Sequence, residues 1–196
     1  MMSSFRKSNL FKFAVFTAVF SLFIAGLVYF FPLTKSEQIV DFNPERDTKP
    51  IVQLFDKNWY WLIAACPSED SSVRDEYSPE FMLKHRTMDK NPANFGKLII
   101  KVLREKNRFA GFTAYFKISF YRGFLQFVAV DSAFRGKGYG EKLTRYAIQD
   151  FFNMGIGVVE LVTRTNNIKA RSLYKKIGFT EDNIEDGFVY YSIRKK

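Results

Sequence analysis

Apolar residues follow three different rhythms along this chain, and each predicts a different kind of element. Phe13 to Phe31 carries no charge over nineteen positions and ends at Pro32. Helical spacing appears at Ile51, Leu54, Phe55, Trp59 and Leu62, after Asp47 and Thr48 as N-caps with Pro50 in the first turn, which predicts a first helix. Residues 141–154 repeat that period, with Leu143, Ala147, Ile148 and Phe151 inward and Gly155 as the stop; residues 167–177 form a shorter helix ended by Gly178. The strand candidates are 37–42, 98–105, 108–119 (Phe112, Ala114, Phe116 and Ile118 on one face), 123–130, 158–165 and 188–194. Residues 66–79 are polar and turn-rich and read as a loop, followed by a short helix over 80–87. Lys106-Asn107 and Tyr121-Arg122-Gly123 supply tight reversals, so the three middle strands form an antiparallel meander. The strands 123–130 and 158–165 are joined by a helix and are expected to be parallel. The fold class is α/β (α+β): a mixed, mostly antiparallel sheet with helices on its faces.

The uncharged run has the length of a membrane-spanning helix, since about twenty residues at 1.5 Å rise cross a hydrocarbon core of about 30 Å. A cleaved signal peptide shares the basic start, but its apolar region is shorter, about 7–15 residues, and ends in an A-x-A-like exit. A buried core helix would not be apolar on every face. The expected organisation is a basic tail over 1–12, a transmembrane helix over 13–33 and a globular body over 34–196. Three Lys or Arg lie within about 20 residues of the span on each side, so the positive-inside rule leaves orientation open.

The chain has 196 residues, is 47% hydrophobic and carries a formal charge of +10, which excludes a disordered protein. Residues 34–196 hold all 20 acidic and 27 of the 30 basic residues, a net +7, so anionic partners are expected: nucleic acid, lipid headgroups or a phosphate-bearing cofactor. One cysteine, Cys66, allows no intrachain disulfide, and with one histidine, His85, leaves too few soft ligands for a structural zinc; no metal is expected. No arginine-rich arm, zinc finger or helix-turn-helix is present, which makes nucleic acid the weaker partner class.

The most informative stretch runs from Val128 to Gly140, VAVDSAFRGKGYG: a strand, a glycine-rich turn and a helix start. Gly136, Gly138 and Gly140 let backbone approach a ligand, and the N–H groups of a helix start favour an anion such as a pyrophosphate. Arg135, Lys137 and Tyr139 complete the turn. The same residues can also make a basic connection that binds nothing. The Walker pattern and the dinucleotide fingerprint are both absent.

A second cluster follows at 167–179, NIKARSLYKKIGF. With the first it resembles the GCN5-related N-acetyltransferase superfamily, whose signature is R/Q-x-x-G-x-G/A after a V-A-V-type fourth strand, then N-x-x-A-x-x-x-Y-x-x-x-G-F. Asn167, Ala170, Tyr174, Gly178 and Phe179 match the fixed positions of the second element. The resemblance covers almost all of residues 37–196 and implies a splayed fourth and fifth strand with acetyl-CoA as co-substrate and no metal. It further implies that the backbone of Val128 and Val130 holds the pantetheine arm and the acetyl carbonyl, and that Arg135, Gly136, Lys137, Gly138, Tyr139 and Gly140 take the pyrophosphate. By the same resemblance Asn167, beside Ala170, bonds the arm, and Tyr174 donates a proton to the departing thiolate as an amine attacks the thioester directly in a ternary complex. Tyr174 also has a simpler reading, as an aromatic packing its helix on the sheet.

The resemblance implies an acceptor that is an amine-bearing small molecule or a protein or peptide amine. A lysine amine with pKa about 10.4 is neutral about once in 10³ molecules at pH 7, a cost of about 4–5 kcal/mol, against about 1 for an α-amine near 8. Several family members carry a carboxylate on the fourth strand; Phe124 to Val130 has none. Glu160 and Asp131 are the remaining candidate bases, set against the simpler reading of each as a solvated or sheet-edge carboxylate with water relaying the proton, and the balance favours a low-pKa amine. Trp59-Tyr60-Trp61 reads as core and rim packing, His85 as surface, and Arg164, Arg171, Lys175 and Lys176 either as a grip on the cofactor's ribose phosphate, a contact with headgroups, or solvated charge. The expectation is a single-pass membrane-anchored N-acetyltransferase whose body faces the cytosol, where acetyl-CoA is found. The alternatives are a catalytically silent acyl-CoA-binding or partner-docking module at the membrane, and a nucleic-acid binder.

Overall fold

A computed structural model describes residues 36–63, 78–87 and 95–196. The apolar run, the basic tail before it and the polar loop from Cys66 to residue 77 lie outside the described residues, while Ser78 and Pro79, read as loop, begin a helix as its N-cap and first residue. Among the described residues no helix is long and apolar enough to cross a membrane.

The elements are β1 (Glu37–Asp41), α1 (Pro44–Leu62), α2 (Pro79–His85), β2 (Phe95–Glu105), β3 (Arg108–Lys117), β4 (Arg122–Val130), a 3₁₀ turn (Ser132–Phe134), α3 (Tyr139–Asn153), β5 (Val158–Arg164), α4 (Ile168–Ile177), β6 (Thr180–Glu185) and β7 (Phe188–Arg194). They build one seven-stranded sheet in the order β1-β2-β3-β4-β5-β7-β6, antiparallel except for the β4–β5 pair. The meander and the parallel crossover are as the pattern predicts.

Three details differ from the sequence pattern. Helix α1 starts at Asn43 rather than at Asp47 or Thr48, because the Asn43 side chain accepts from the N–H groups of Glu45 and Arg46 and Pro44 suits the first helical position. Strand β6, TEDNIE, has no apolar alternation, because it is an edge strand exposed along nearly its whole length. Strand β4 carries a bulge: Ala114 faces Phe127 while Tyr115 faces Leu125, leaving Gln126 as the extra residue.

The sheet is covered on both faces. On one side Ile51, Leu54, Phe55 and Trp59 of α1 pack on Phe112, Ala114, Phe127 and Ala129. On the other, Ala147, Ile148 and Phe151 of α3 and Tyr174 and Ile177 of α4 pack on Tyr115, Leu125, Val159, Leu161 and Tyr191. The bulge explains why Leu125 belongs to the second core and Phe127 to the first: one extra residue reverses the side-chain phase. Helices thus cover both faces of a sheet in which β4 and β5 are central.

Asp47 is a core residue instead of a cap. It is fully buried in an ion pair with the equally buried Arg104 of β2, and its other oxygen accepts from the Asn43 N–H at 2.9 Å. Removing one partner of such a pair strands a buried charge. Asp47→Ala is therefore expected to lose about 3–5 kcal/mol in urea denaturation, and the double variant Asp47→Ala with Arg104→Met to recover much of it.

Candidate functional site

Strands β4 and β5 are paired only from Arg122↔Val158 to Phe124↔Glu160. β4 then runs on to Val130 and β5 to Arg164 without pairing to each other, and a cleft of about 580 Å³ opens where they part. The Asp131 N–H donates to the Ala110 carbonyl at 2.9 Å, on the β3 side. Amides alternate along a strand, so the N–H groups of Val130 and Val128 point the opposite way, into the gap. Both residues line the cleft.

Beyond Val130 the chain turns through Gly136 and Gly138, at φ +81° and +78°, into α3. These are left-handed conformations that glycine adopts without strain. Gly138 is the N-cap, no side chain caps the helix, and nothing lies within 4 Å of where a Cβ would stand on either glycine. Fifteen-residue α3 thus presents uncapped first-turn N–H groups over open backbone, which suits a phosphate.

The side chains of this turn have separate tasks. Arg135 lines the cleft, donating from Nε to the Val130 carbonyl at 3.1 Å and from Nη2 to Asn58 Oδ1 at 2.7 Å. The Lys137 ammonium sits 2.8 and 3.0 Å from the Glu105 carboxylate oxygens, and holds that carboxyl below its usual range. The Tyr139 ring is buried among Leu103, Ala110, Phe134 and Leu143 and its hydroxyl is hydrogen-bonded to Glu105, the carboxylate that also holds Lys137, so a ligand at the turn meets its backbone. Gly140 sits at the start of α3, 3.4 Å from Leu173 of α4 when given a Cβ.

The opposite wall is α4. Asn167 is its N-cap, its Oδ1 accepting from the Ala170 N–H at 3.3 Å, which leaves the amide NH₂ for the cleft. Asn167, Ala170, Leu173 and Tyr174 all line the opening. Tyr174 is packed against the rings of Phe179 and Tyr191, each 5.8 Å away between centroids. Burial, with the neighbouring Tyr191, pushes its phenol up to about 12. It therefore holds its proton throughout the physiological range.

The carboxylates singled out from the sequence stand elsewhere. Glu160 accepts from Arg122 at 3.0 and 2.5 Å and lines a separate hollow with Asp182, Asn183 and Tyr190. Asp131 caps the 3₁₀ turn through the Ala133 N–H. Among the described residues no carboxylate lines the main cleft. His85 is exposed and stacks on Phe81. Of the four cations grouped from sequence, Arg171 and Lys175 pair with Glu181 and Lys176 with Glu141, while Arg164 donates to α1 carbonyls. Sequence reasoning gave no site role to Asn58, Leu62, Gln126, Val162 or Phe188, which line the cleft with Trp61. They lie far apart in the chain and carry no motif; the alternation of β5 and β7 was the available signal for Val162 and Phe188.

A family model described as "Acetyltransferase (GNAT) family" matches residues 55–179. The chain belongs to this family. N-alpha-acetyltransferase 30 of Dictyostelium discoideum is 36% identical over 72 residues, 37% of this chain and 38% of that protein. The Xenopus laevis protein of the same name is 38% identical over 66 residues, 34% of this chain and 24% of that one. The matched segment therefore spans well under half the length of these curated relatives. Among solved structures, the PaiA N-acetyltransferase of Thermoplasma acidophilum in complex with coenzyme A has a TM-score of 0.66 at 20% identity, covering 82% of this chain and 99% of that one. At that identity the likeness speaks for the fold alone.

Proposed function

We propose that this GNAT-family chain is an acetyl-CoA-dependent N-acetyltransferase acting on an amine of low pKa, such as the α-amine of a peptide. The observation that carries the reading is the cleft: amides facing a gap between parted strands, continuous with an uncapped helix start over two glycines. Coenzyme A fits this donor set, with its diphosphate at the N–H groups of residues 138–140 and its pantetheine arm between β4 and α4, where Ala170 leaves room and Asn167 offers its NH₂. Val128 and Val130 then place N–H donors where the thioester oxygen gains charge as an amine attacks. Tyr174 supplies the proton that the departing thiolate takes, and the proton that the attacking amine sheds as the amide forms passes through water and restores the phenol.

We assign the acceptor side to Trp61, Leu62, Val162 and Phe188, with Gln126, the cleft residues left once coenzyme A is placed between β4 and α4. A wall without a carboxylate suits an amine that loses its proton readily, and the resemblance to N-alpha-acetyltransferase 30 points to the same acceptor class. Membrane anchoring through residues 13–33 with the body in the cytosol belongs to the same proposal, on the strength of the uncharged run; a C-terminal topology reporter tests it.

The test of the chemistry is thiol release from acetyl-CoA across a panel of peptides, polyamines and lysine analogues, followed against pH. The reacting amine must be neutral, so kcat/KM rises with pH and levels off near the amine's pKa, about 8 for an α-amine and about 10.4 for a lysine. The Tyr174 phenol must keep its proton, and with its pKa at about 12 it imposes no fall below pH 10. Turnover confined to lysine-type amines overturns the acceptor assignment. No coenzyme A binding at all overturns the whole reading.

A further inference from the structure

Helix α1 does not run straight to its end. Asn58 leaves the helical region, at φ −133° and ψ 24°, and its Nδ2 donates back to the Leu54 carbonyl at 2.8 Å. The single turn beyond this kink carries Trp61 and Leu62, both of which face the cleft. A helix end leaves its last carbonyls without intrahelical partners, and the last turn of α1 contains no basic residue of its own. The missing charge comes from β5, more than a hundred residues downstream. Arg164 donates from Nε to the Tyr60 carbonyl at 2.8 Å and from Nη2 to the Ile63 carbonyl at 3.1 Å. Its guanidinium lies 4.0 Å from the Tyr60 ring centroid and 5.1 Å from that of Phe188, and Asn166 donates to the Tyr60 hydroxyl at 3.0 Å. On the other side of the kink, Arg135 of the glycine turn donates to Asn58 Oδ1.

The end of α1 is thus fastened twice, by an arginine at the tip of β5 and by one just past the tip of β4, the two strands whose parting makes the cleft. Resting on the functional reading above, we infer that Arg164 and Arg135 are positioning residues that clamp the last turn of α1 across the splay and so build the acceptor wall. Through Asn58 the clamp ties that wall to the turn assigned to the diphosphate. Arg164 therefore acts on the acceptor through Trp61 and Leu62, and its guanidinium is committed to protein carbonyls instead of the cofactor's phosphates. A lysine cannot replace it, because one ammonium does not combine a forked pair of donors with stacking between two rings.

The two tryptophans make the clamp measurable without an acceptor. Trp59 is buried at 3% exposure, whereas Trp61 is 40% exposed and sits in the clamped turn. In the full chain, Arg164→Leu and Arg135→Leu are each expected to raise acrylamide quenching of tryptophan fluorescence about twofold, as the turn opens locally. Arg164→Lys is expected to recover less than half of the change. With acetyl-CoA and the best peptide from a panel bearing free α-amines, Arg164→Leu raises the peptide KM about tenfold, because the turn that carries Trp61 and Leu62 is no longer held against the cleft. The KM for acetyl-CoA stays within about twofold. Quenching unchanged in both leucine variants overturns the clamp, as does a peptide KM that stays constant or moves in step with that of acetyl-CoA. Failure of the wild-type chain to bind coenzyme A by calorimetry would instead overturn the functional reading, and the quenching series would still decide the clamp.

Discussion

Tyr174→Phe is expected to lower acetyl-CoA thiol release by about 10²-fold at saturating acceptor, within the range that loss of a positioned general acid produces. The ring packs against those of Phe179 and Tyr191, so removing the hydroxyl leaves the packing of α4 on the sheet in place. Unfolding stability should therefore change by less than about 1 kcal/mol, and coenzyme A affinity by less than about twofold. This combination separates the two readings of the residue. A purely structural tyrosine would leave turnover intact, whereas a proton donor loses turnover and little else. Stopped-flow measurement of thiol release, set beside calorimetry with coenzyme A, distinguishes them in one preparation. The direction of the pKa displacement is consistent with the assignment: burial disfavours the phenolate, so the group is available as an acid and is unsuited to act as a base near neutrality.

Substitution of Gly138 by valine tests the other half of the site. The residue stands at φ +78°, where a side chain costs about 1–2 kcal/mol, and a β-branched one at the upper end. It is also the N-cap from which the first free N–H groups of α3 are aimed. Relaxation of the strain re-aims those donors, and the loss of two charge-assisted hydrogen bonds lowers coenzyme A affinity by about 10²-fold. Gly187→Val is the control. Gly187 lies between β6 and β7 at φ +81°, with open space around it, and carries comparable backbone strain away from the turn. It should lose similar stability while calorimetric affinity stays within about twofold. Equal affinity loss in both variants would mean that strain alone, and not the aim of the amides, governs binding.

Most of the architecture was legible along the chain because it is local. The inward residues of α3, Leu143, Ala147, Ile148 and Phe151, follow helical spacing and are all buried. Lys106-Asn107 adopt positive φ at the turn expected of them. What the pattern missed has identifiable causes. β6 is an edge strand whose polar sequence satisfies solvent on both faces, so no alternation marks it. The bulge at Gln126 shifts a phase that a periodic reading assumes to be constant. Asp47 resembles a cap in sequence and becomes a buried ion partner, because its counterion comes from β2, 57 residues away.

The glycine turn and the α4 motif are properties of the sequence by itself, since positive φ, a helix N-cap and the spacing of small and aromatic residues on one helix are set within a few residues of chain. The tertiary structure alone decided which charges remain for a ligand. Lys137, Arg171, Lys175 and Lys176 each carry the charge that a phosphate site wants, yet each is paired with a carboxylate placed beside it by the fold, and Arg164 is turned toward the carbonyls of α1. Side-chain electrostatics depend on separations of a few ångströms between residues tens of positions apart, and a linear pattern carries no such distances.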